Sequence, residues 1–209
     1  MIRLTRIPLD GKLSARLEHR TTLLRQREAD SRSARRSWKS AALERQGVKQ
    51  ALSRISVGVE RCMYCGDSRG TDIDHFEPIS FSPLRAFDWN NHLLACSSCN
   101  SNAKRDVYPC DNDGKCLLID PSTEDPADHL QLTLSVGEYT ATTRKGCVTI
   151  DVFQLNRGDL RRGREMAFAR CKSMLRDYLN LTRSGRIDDA NDARLARKHS
   201  GPWDCRCGE

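Results

Sequence analysis

The sequence has no run of about 18 apolar residues, the length a membrane-spanning helix needs, so no such helix is expected. Its opening, MIRLTRIPLDGKL, lacks the apolar core of a secretory signal and carries too many charges for one. The expected setting is therefore the cytoplasm, with no membrane. Aromatic residues are scarce at 6%, and charged residues make up 30%, so the hydrophobic core must be limited and partly replaced by something else. There is no internal repeat and no low-complexity tract. At 209 residues the chain is long enough for one compact domain, or one with a modest extension.

What the sequence does have is cysteine, ten in all. Four of them stand as two Cys-x-x-Cys pairs, and in a reducing compartment that spacing means metal rather than disulfides. Charge is unevenly spread. Residues 1–61 hold 15 basic against 6 acidic side chains, and residues 157–186 hold 9 against 3. Between them, residues 62–106 and 107–156 are net acidic. Two basic arms around a weakly acidic centre suit a polyanion gripped from both sides, because Lys and Arg gain affinity by releasing phosphate counterions. Solvated helix faces would produce the same excess in either arm taken alone.

The basic N-terminal segment, 1–61, reads as helices over roughly 13–29 and 33–56, with Gly47 a candidate interruption. Leu13, Leu17, Leu24, Trp38, Ala42, Leu52 and Ile55 form a narrow apolar stripe with arginines between them. Residues 107–209 are expected to pack with the finger at 62–106 as one unit. LLIDP at 117–121, LQLTLSV at 130–136, EYTAT at 138–142 and CVTIDVF at 147–153 predict short strands in a small antiparallel sheet. From Asn156, a natural N-cap, a long helix is predicted to about Ser184, with Leu160, Ala167, Cys171, Met174, Tyr178 and Leu181 along one stripe. A shorter helix over 188–198 and a loop-like tail, GPWDCRCGE, follow. The fold class is thus α+β.

Chemistry concentrates in residues 62–106. Cys62, Cys65, Cys96 and Cys99 can close tetrahedrally on one zinc, and four thiolates leave no open position, so this zinc is structural. Between the pairs, TDIDHFEPIS places Asp74 beside His75, a carboxylate and an imidazole suited to a cation and a general base. Asp72 falls on the strand face of Asp74. The second cluster, WNNHLLACSSCNSNAK, places Asn91 five residues before Cys96 and Asn100 directly after Cys99. If Cys99 begins a helix, Asn100 sits on its first turn, and the zinc ties that helix to the strand end carrying Asp74 and His75.

With these residues in place, the segment resembles the HNH endonuclease finger, a ββα-metal motif in which a β-hairpin and a helix surround a catalytic cation. The signature positions fall on His75, Asn91 and Asn100. The resemblance implies His75 as general base, Asp74 and Asn100 as ligands of the cation, and Asn91 as the residue that orients the histidine loop. An asparagine at the last position offers a neutral oxygen, which favours magnesium or manganese. Lys104 and Arg105 are candidate phosphate contacts. Glu77 is a second carboxylate near the cation or a salt-bridge partner, and His92 reads as structural.

Further strings, LLIDPSTEDPADHL at 117–130 and GCVTIDVFQLNRGDLRRGR at 146–164, are similar to the HNH nucleases of the Septu (PtuB) and retron-associated subfamily. That resemblance implies a DNA-cutting anti-phage effector paired with an ABC-type ATPase subunit. Two other readings fit the same residues: a stand-alone homing or restriction nuclease, and a non-catalytic zinc finger that binds nucleic acid. Cys110, Cys116, Cys205 and Cys207 lie outside the pattern and could hold a second zinc.

Overall fold

A computed structural model describes residues 1–184 and residue 186. The expected helix over 188–198, the tail, and Cys205 and Cys207 lie outside the described residues.

The N-terminal segment forms α1 (Gly11–Gln26), α2 (Ser31–Ser40) and α3 (Ala42–Ile55). Aspartates start the first two: Asp10 accepts from the backbone N–H groups of Lys12 and Leu13, and Asp30 from that of Ser33. The expected second helix is split, and the break lies at Ala41 rather than at Gly47. Ala41 is fully buried and leaves helical geometry (φ −85°, ψ 62°), a turn imposed by packing and unmarked by Pro or Gly. Gly47 instead sits inside α3, where a Cβ would come within 2.9 Å of the Leu13 side chain. Its missing side chain lets α1 approach α3.

The finger's strands, β1 (Asp72–His75) and β2 (His92–Ala95), pair antiparallel, with Asp74 opposite Leu93 and His75 opposite His92. All four β2 residues are buried, so the strand has no solvent face and its sequence shows no alternation. Gly70 allows a tight approach, since a Cβ there would lie 2.4 Å from Leu94. Arg6, from the N-terminal segment, donates to the carbonyls of Trp89, Asn90 and His92 (2.9–3.1 Å) and so fixes the entry to β2.

Two expectations for the region beyond the finger are corrected. Residues 117–121 form no strand. Leu118 and Ile119 are buried, and the Ile119 N–H is satisfied by Thr149 Oγ1 at 3.0 Å rather than by a partner strand. The run at 147–153 is helical, within α4 (Arg144–Phe153). Its alternation competes with a helical stripe of Gly146, Thr149 and Phe153, which is the face that is buried, and Thr143 caps the start by accepting from the Gly146 N–H. Helix geometry carries Phe153 onto Tyr64, ring centroids 4.0 Å apart.

LQLTLSV and EYTAT do supply β3 (Leu130–Thr133) and β4 (Glu138–Ala141), a two-stranded sheet. The chain divides into two units, one of residues 1–131 and 141–155, the other of residues 132–140 and everything from 156 onward. In the second unit, α5 (Gly158–Arg183) begins without a side-chain cap at Arg157. Asn156, expected as that cap, bonds both backbone groups of Tyr139 instead (2.7 and 2.8 Å). Only Leu160 and Arg164 of α5 are buried. The stripe from Ala167 to Leu181 is half-exposed. No helix among the described residues is long and apolar enough to cross a membrane.

Candidate active site and metal centre

Cys62, Cys65, Cys96 and Cys99 are all buried, and their sulfurs lie within 4.8 Å of one another. Two tight turns present them. In the first, the Gly66 N–H bonds the Cys62 carbonyl at 2.9 Å, with Gly66 in the left-handed region (φ 69°). In the second, the N–H groups of Cys99 and Asn100 both bond the Cys96 carbonyl (3.1 and 2.9 Å). The Met63 N–H, bonded to the Leu94 carbonyl at 2.8 Å, locks one turn against β2. Zn–S bonds of about 2.3 Å at tetrahedral angles require sulfurs roughly 3.8 Å apart, and Cys65 and Cys96 stand at 3.9 Å. The set could hold a tetrahedral metal ion.

Beyond this centre, β1 sends Asp74 and His75 to different surroundings. Asp74 is 4% exposed. Its Oδ2 accepts from Tyr64 Oη at 2.5 Å, and Lys104 Nζ lies 3.2 Å from Oδ1 and 3.1 Å from Oδ2. Burial pushes the Asp74 carboxyl up, while the Lys104 ammonium and the Tyr64 hydroxyl pull it down. Tyr64 is itself held well above the usual phenol range by burial and by the Asp74 charge, so it remains a donor. Lys104 also donates to the His75 carbonyl at 2.7 Å and is fully buried. The lysine expected at a phosphate is therefore an internal counter-ion, because a buried carboxylate demands a partner more strongly than solvent offers one.

His75 occupies an aromatic box. Trp38 of α2 packs edge-on at 4.7 Å, and His92, across the hairpin, at 4.9 Å. Nε2 lies 3.0 Å from the Ala86 carbonyl, which can only accept, so Nδ1 is left as the basic nitrogen. Burial draws the His75 ring down to about 4, and the ring is neutral at pH 7. His92 is likewise drawn well below the ordinary imidazole range, by burial and by His75. Its Nε2 bonds the same carbonyl at 3.1 Å, and its Nδ1 has no hydrogen-bond partner.

Asn91 is fully buried and clamps the loop between β1 and β2. Its Oδ1 accepts from the Glu77 N–H (2.8 Å), and its Nδ2 donates to the carbonyls of Glu77 (3.0 Å) and Arg85 (3.2 Å). The residue after Arg85 is Ala86, whose carbonyl holds both imidazoles. Glu77 pairs with Arg85 at 2.5 Å.

Asn100 lies on a π-helix, Ser98–Lys104, in place of the expected α-helical turn. Its Nδ2 is 3.4 Å from Asp72 Oδ2, and its amide oxygen remains to accept from a ligand. The wider turn puts Lys104 under Asp74 while leaving Arg105 exposed.

Asp74, His75 and Asn100 open together onto a cleft of about 350 Å³ that Trp38, Ile73, Pro78 and Ile79 also line. Arg35, Lys39 and Arg105, all exposed, also line it, together with Asp106, which pairs with Arg35 at 2.7 Å. Among the described residues Asp74 Oδ1 accepts from Lys104 alone, so a lone pair could face a cation. With the oxygen of Asn100, which lines the same cleft, it would offer a hard, oxygen-only donor pair. Sequence reasoning missed Tyr64 and Trp38 as neighbours of the site. Tyr64 looked like a spacer within a metal knuckle and Trp38 like one apolar stripe residue among several, and neither carries a local signal of its role.

The segment that carries the four cysteines, the hairpin and the short helix, residues 62–106, matches the HNH endonuclease family. The chain is similar to the Septu protein PtuB of Bacillus mycoides (strain KBAB4), 26% identical over 149 residues, covering 57% of this chain and 50% of that one. It is likewise similar to the Septu protein PtuB of Bacillus thuringiensis, 26% identical over 115 residues, covering 52% and 41%. The chain thus spans about half the length of these curated relatives or less.

Proposed function

We propose that this protein is an HNH endonuclease that hydrolyses phosphodiester bonds of DNA with a divalent cation, as the nuclease effector of an anti-phage defence complex with an ATPase subunit. The observation that carries the nuclease reading is the convergence of a neutral His75, the buried Asp74 and Asn100 on one basic-rimmed cleft. The defence setting rests on the similarity to Septu proteins.

In this reading zinc fills the four-cysteine centre and braces the finger. Magnesium or manganese, held by Asp74 and Asn100, would relieve charge on the phosphate and on the departing 3′ oxygen. His75 Nδ1 takes the proton of the attacking water, and the Ala86 carbonyl on Nε2–H holds the ring in the tautomer that permits this. Asn91 fixes the loop that carries Ala86. Arg35, Lys39 and Arg105 meet the phosphates on either side of the scissile bond.

The test is incubation of the purified protein, with and without its ATPase partner, with plasmid and tRNA in Mg²⁺, Mn²⁺ or EDTA. His75→Ala should lose roughly 10²–10⁴-fold in cleavage rate while retaining zinc. Cleavage that persists in EDTA sinks the cation mechanism, and full activity in His75→Ala removes the histidine from its role.

A further inference from the structure

Two cysteines outside the finger meet across a short antiparallel turn. Cys110 and Cys116 oppose each other in an isolated β-bridge. The backbone bonds flanking them run from the Asp111 N–H to the Lys115 carbonyl (2.9 Å) and from the Leu117 N–H to the Pro109 carbonyl (2.8 Å). The hydrogen bonds belong to the neighbours, so the cysteines form the non-hydrogen-bonded pair of this ladder, in which Cα atoms are about 4.5 Å apart and the side chains share a face. Disulfides span Cα separations of about 4.4–6.8 Å. The pair stands within that window, at its short end.

The turn holds this register firmly. Asp111 Oδ1 accepts from the N–H groups of Asp113 (3.0 Å) and Lys115 (2.8 Å), and Gly114 takes the left-handed conformation (φ 78°). Cys110 is exposed and Cys116 half-buried. The Cys110 thiol lies 3.6 Å from the Tyr108 carbonyl, and the Tyr108 ring packs on Phe76 at 5.9 Å and Phe81 at 5.6 Å. Phe76 directly follows His75.

We propose that Cys110 and Cys116 form a reversible cross-strand disulfide, with a peroxide as the oxidant. The exposed Cys110, as thiolate, attacks one peroxide oxygen, breaking the O–O bond to give a sulfenic acid and hydroxide. Cys116 then attacks the Cys110 sulfur, forming the S–S bond and releasing the sulfenic oxygen as water. Two thiols thus give up two protons and two electrons, and hydrogen peroxide becomes two waters. Because Cys110 is exposed, the bridge is open to attack by reducing thiols, the property of a switch rather than of a permanent staple. Closed, it fixes the base of the turn beneath Tyr108 and so stiffens the aromatic contact behind His75. The inference stands on backbone register and is independent of the proposed nuclease activity.

The test uses the full chain in its zinc-loaded form. After brief exposure to hydrogen peroxide, remaining thiols are alkylated and the peptides are mapped by mass spectrometry. The expected result is loss of alkylation at Cys110 and Cys116 together, an intact mass lighter by two hydrogens, a linked peptide pair split by cleavage after Lys115, and full reversal by dithiothreitol. Cys110→Ser should abolish the linked pair. A dominant link from either residue to another cysteine, oxidation to sulfinic acid without a link, or a second tightly held zinc protecting both thiols would each overturn the proposal.

Discussion

The four-cysteine centre and the cleft lie a few residues apart in the same finger, yet they are built on opposite principles. The four cysteines are all buried side chains of the chain itself, and a metal held by all four would keep no position for a reactant. Around the cleft stand one carboxylate paired with Lys104, one amide, and one imidazole kept uncharged by burial. In the proposed reading the first arrangement braces the finger and the second is left open for a cation and a substrate. Tyr64 joins them, since it lies between Cys62 and Cys65 and its hydroxyl fixes the Asp74 carboxylate.

The largest test of this contrast is metal removal. Structural zinc contributes roughly 10–16 kcal/mol in small fingers, and whole domains are stable by about 5–15 kcal/mol. Stripping the metal, or Cys96→Ser, should therefore unfold the finger, seen as loss of near-UV dichroism together with loss of bound zinc. If near-UV dichroism survives in metal-free protein, the centre is not the brace.

Next in size is Lys104→Met. It leaves the buried Asp74 without its counter-ion, which should cost about 3–5 kcal/mol in chemical denaturation. A cost under about 1 kcal/mol would mean that Lys104 faces solvent or phosphate after all. Tyr64→Phe keeps the ring stacked on Phe153 but removes one hydrogen bond to a charged group, worth about 1.5–3 kcal/mol. It should also weaken Mn²⁺ binding in calorimetry without loss of zinc, and an unchanged Mn²⁺ affinity would show that the hydroxyl does not orient Asp74.

The effect that is smallest over a single pH unit is that of acidification. His75 and His92 are drawn below the ordinary value of 6.5, so below that pH the unfolded chain binds protons that the folded chain refuses. Stability is full above about 6.5 and falls on acidification, by at most about 1.4 kcal/mol per pH unit for each ring. Imidazole NMR signals of both residues should remain in the neutral form at pH 5.5, and titration near 6.5 would disprove the aromatic box.

Much of the finger was legible because its residues are adjacent or nearly so: two Cys-x-x-Cys turns, Asp74 beside His75, Asn100 beside Cys99. The N-terminal helices were legible through leucine spacing, whereas their aspartate caps, Asp10 and Asp30, were not read. What misled were the segments whose local pattern fits two geometries. CVTIDVF alternates like a strand, yet it also carries a helical stripe, and only packing against Tyr64 and Ile119 selects the helix. The break at Ala41 has no sequence mark at all. Lys104 looked like a surface cation because its neighbours are polar, and nothing local tells which way a π-helical turn will point it.

By itself, the sequence determined the metal-binding turns, the charge layout and the identity of the groups that meet in the cleft, since these depend on residue type and short spacing. Tertiary structure alone decided which groups are charged and which are reachable. Burial of Asp74 beside Tyr64 and Lys104, and of His75 between Trp38 and His92, joins residues far apart in the chain. The desolvation that follows sets their chemistry.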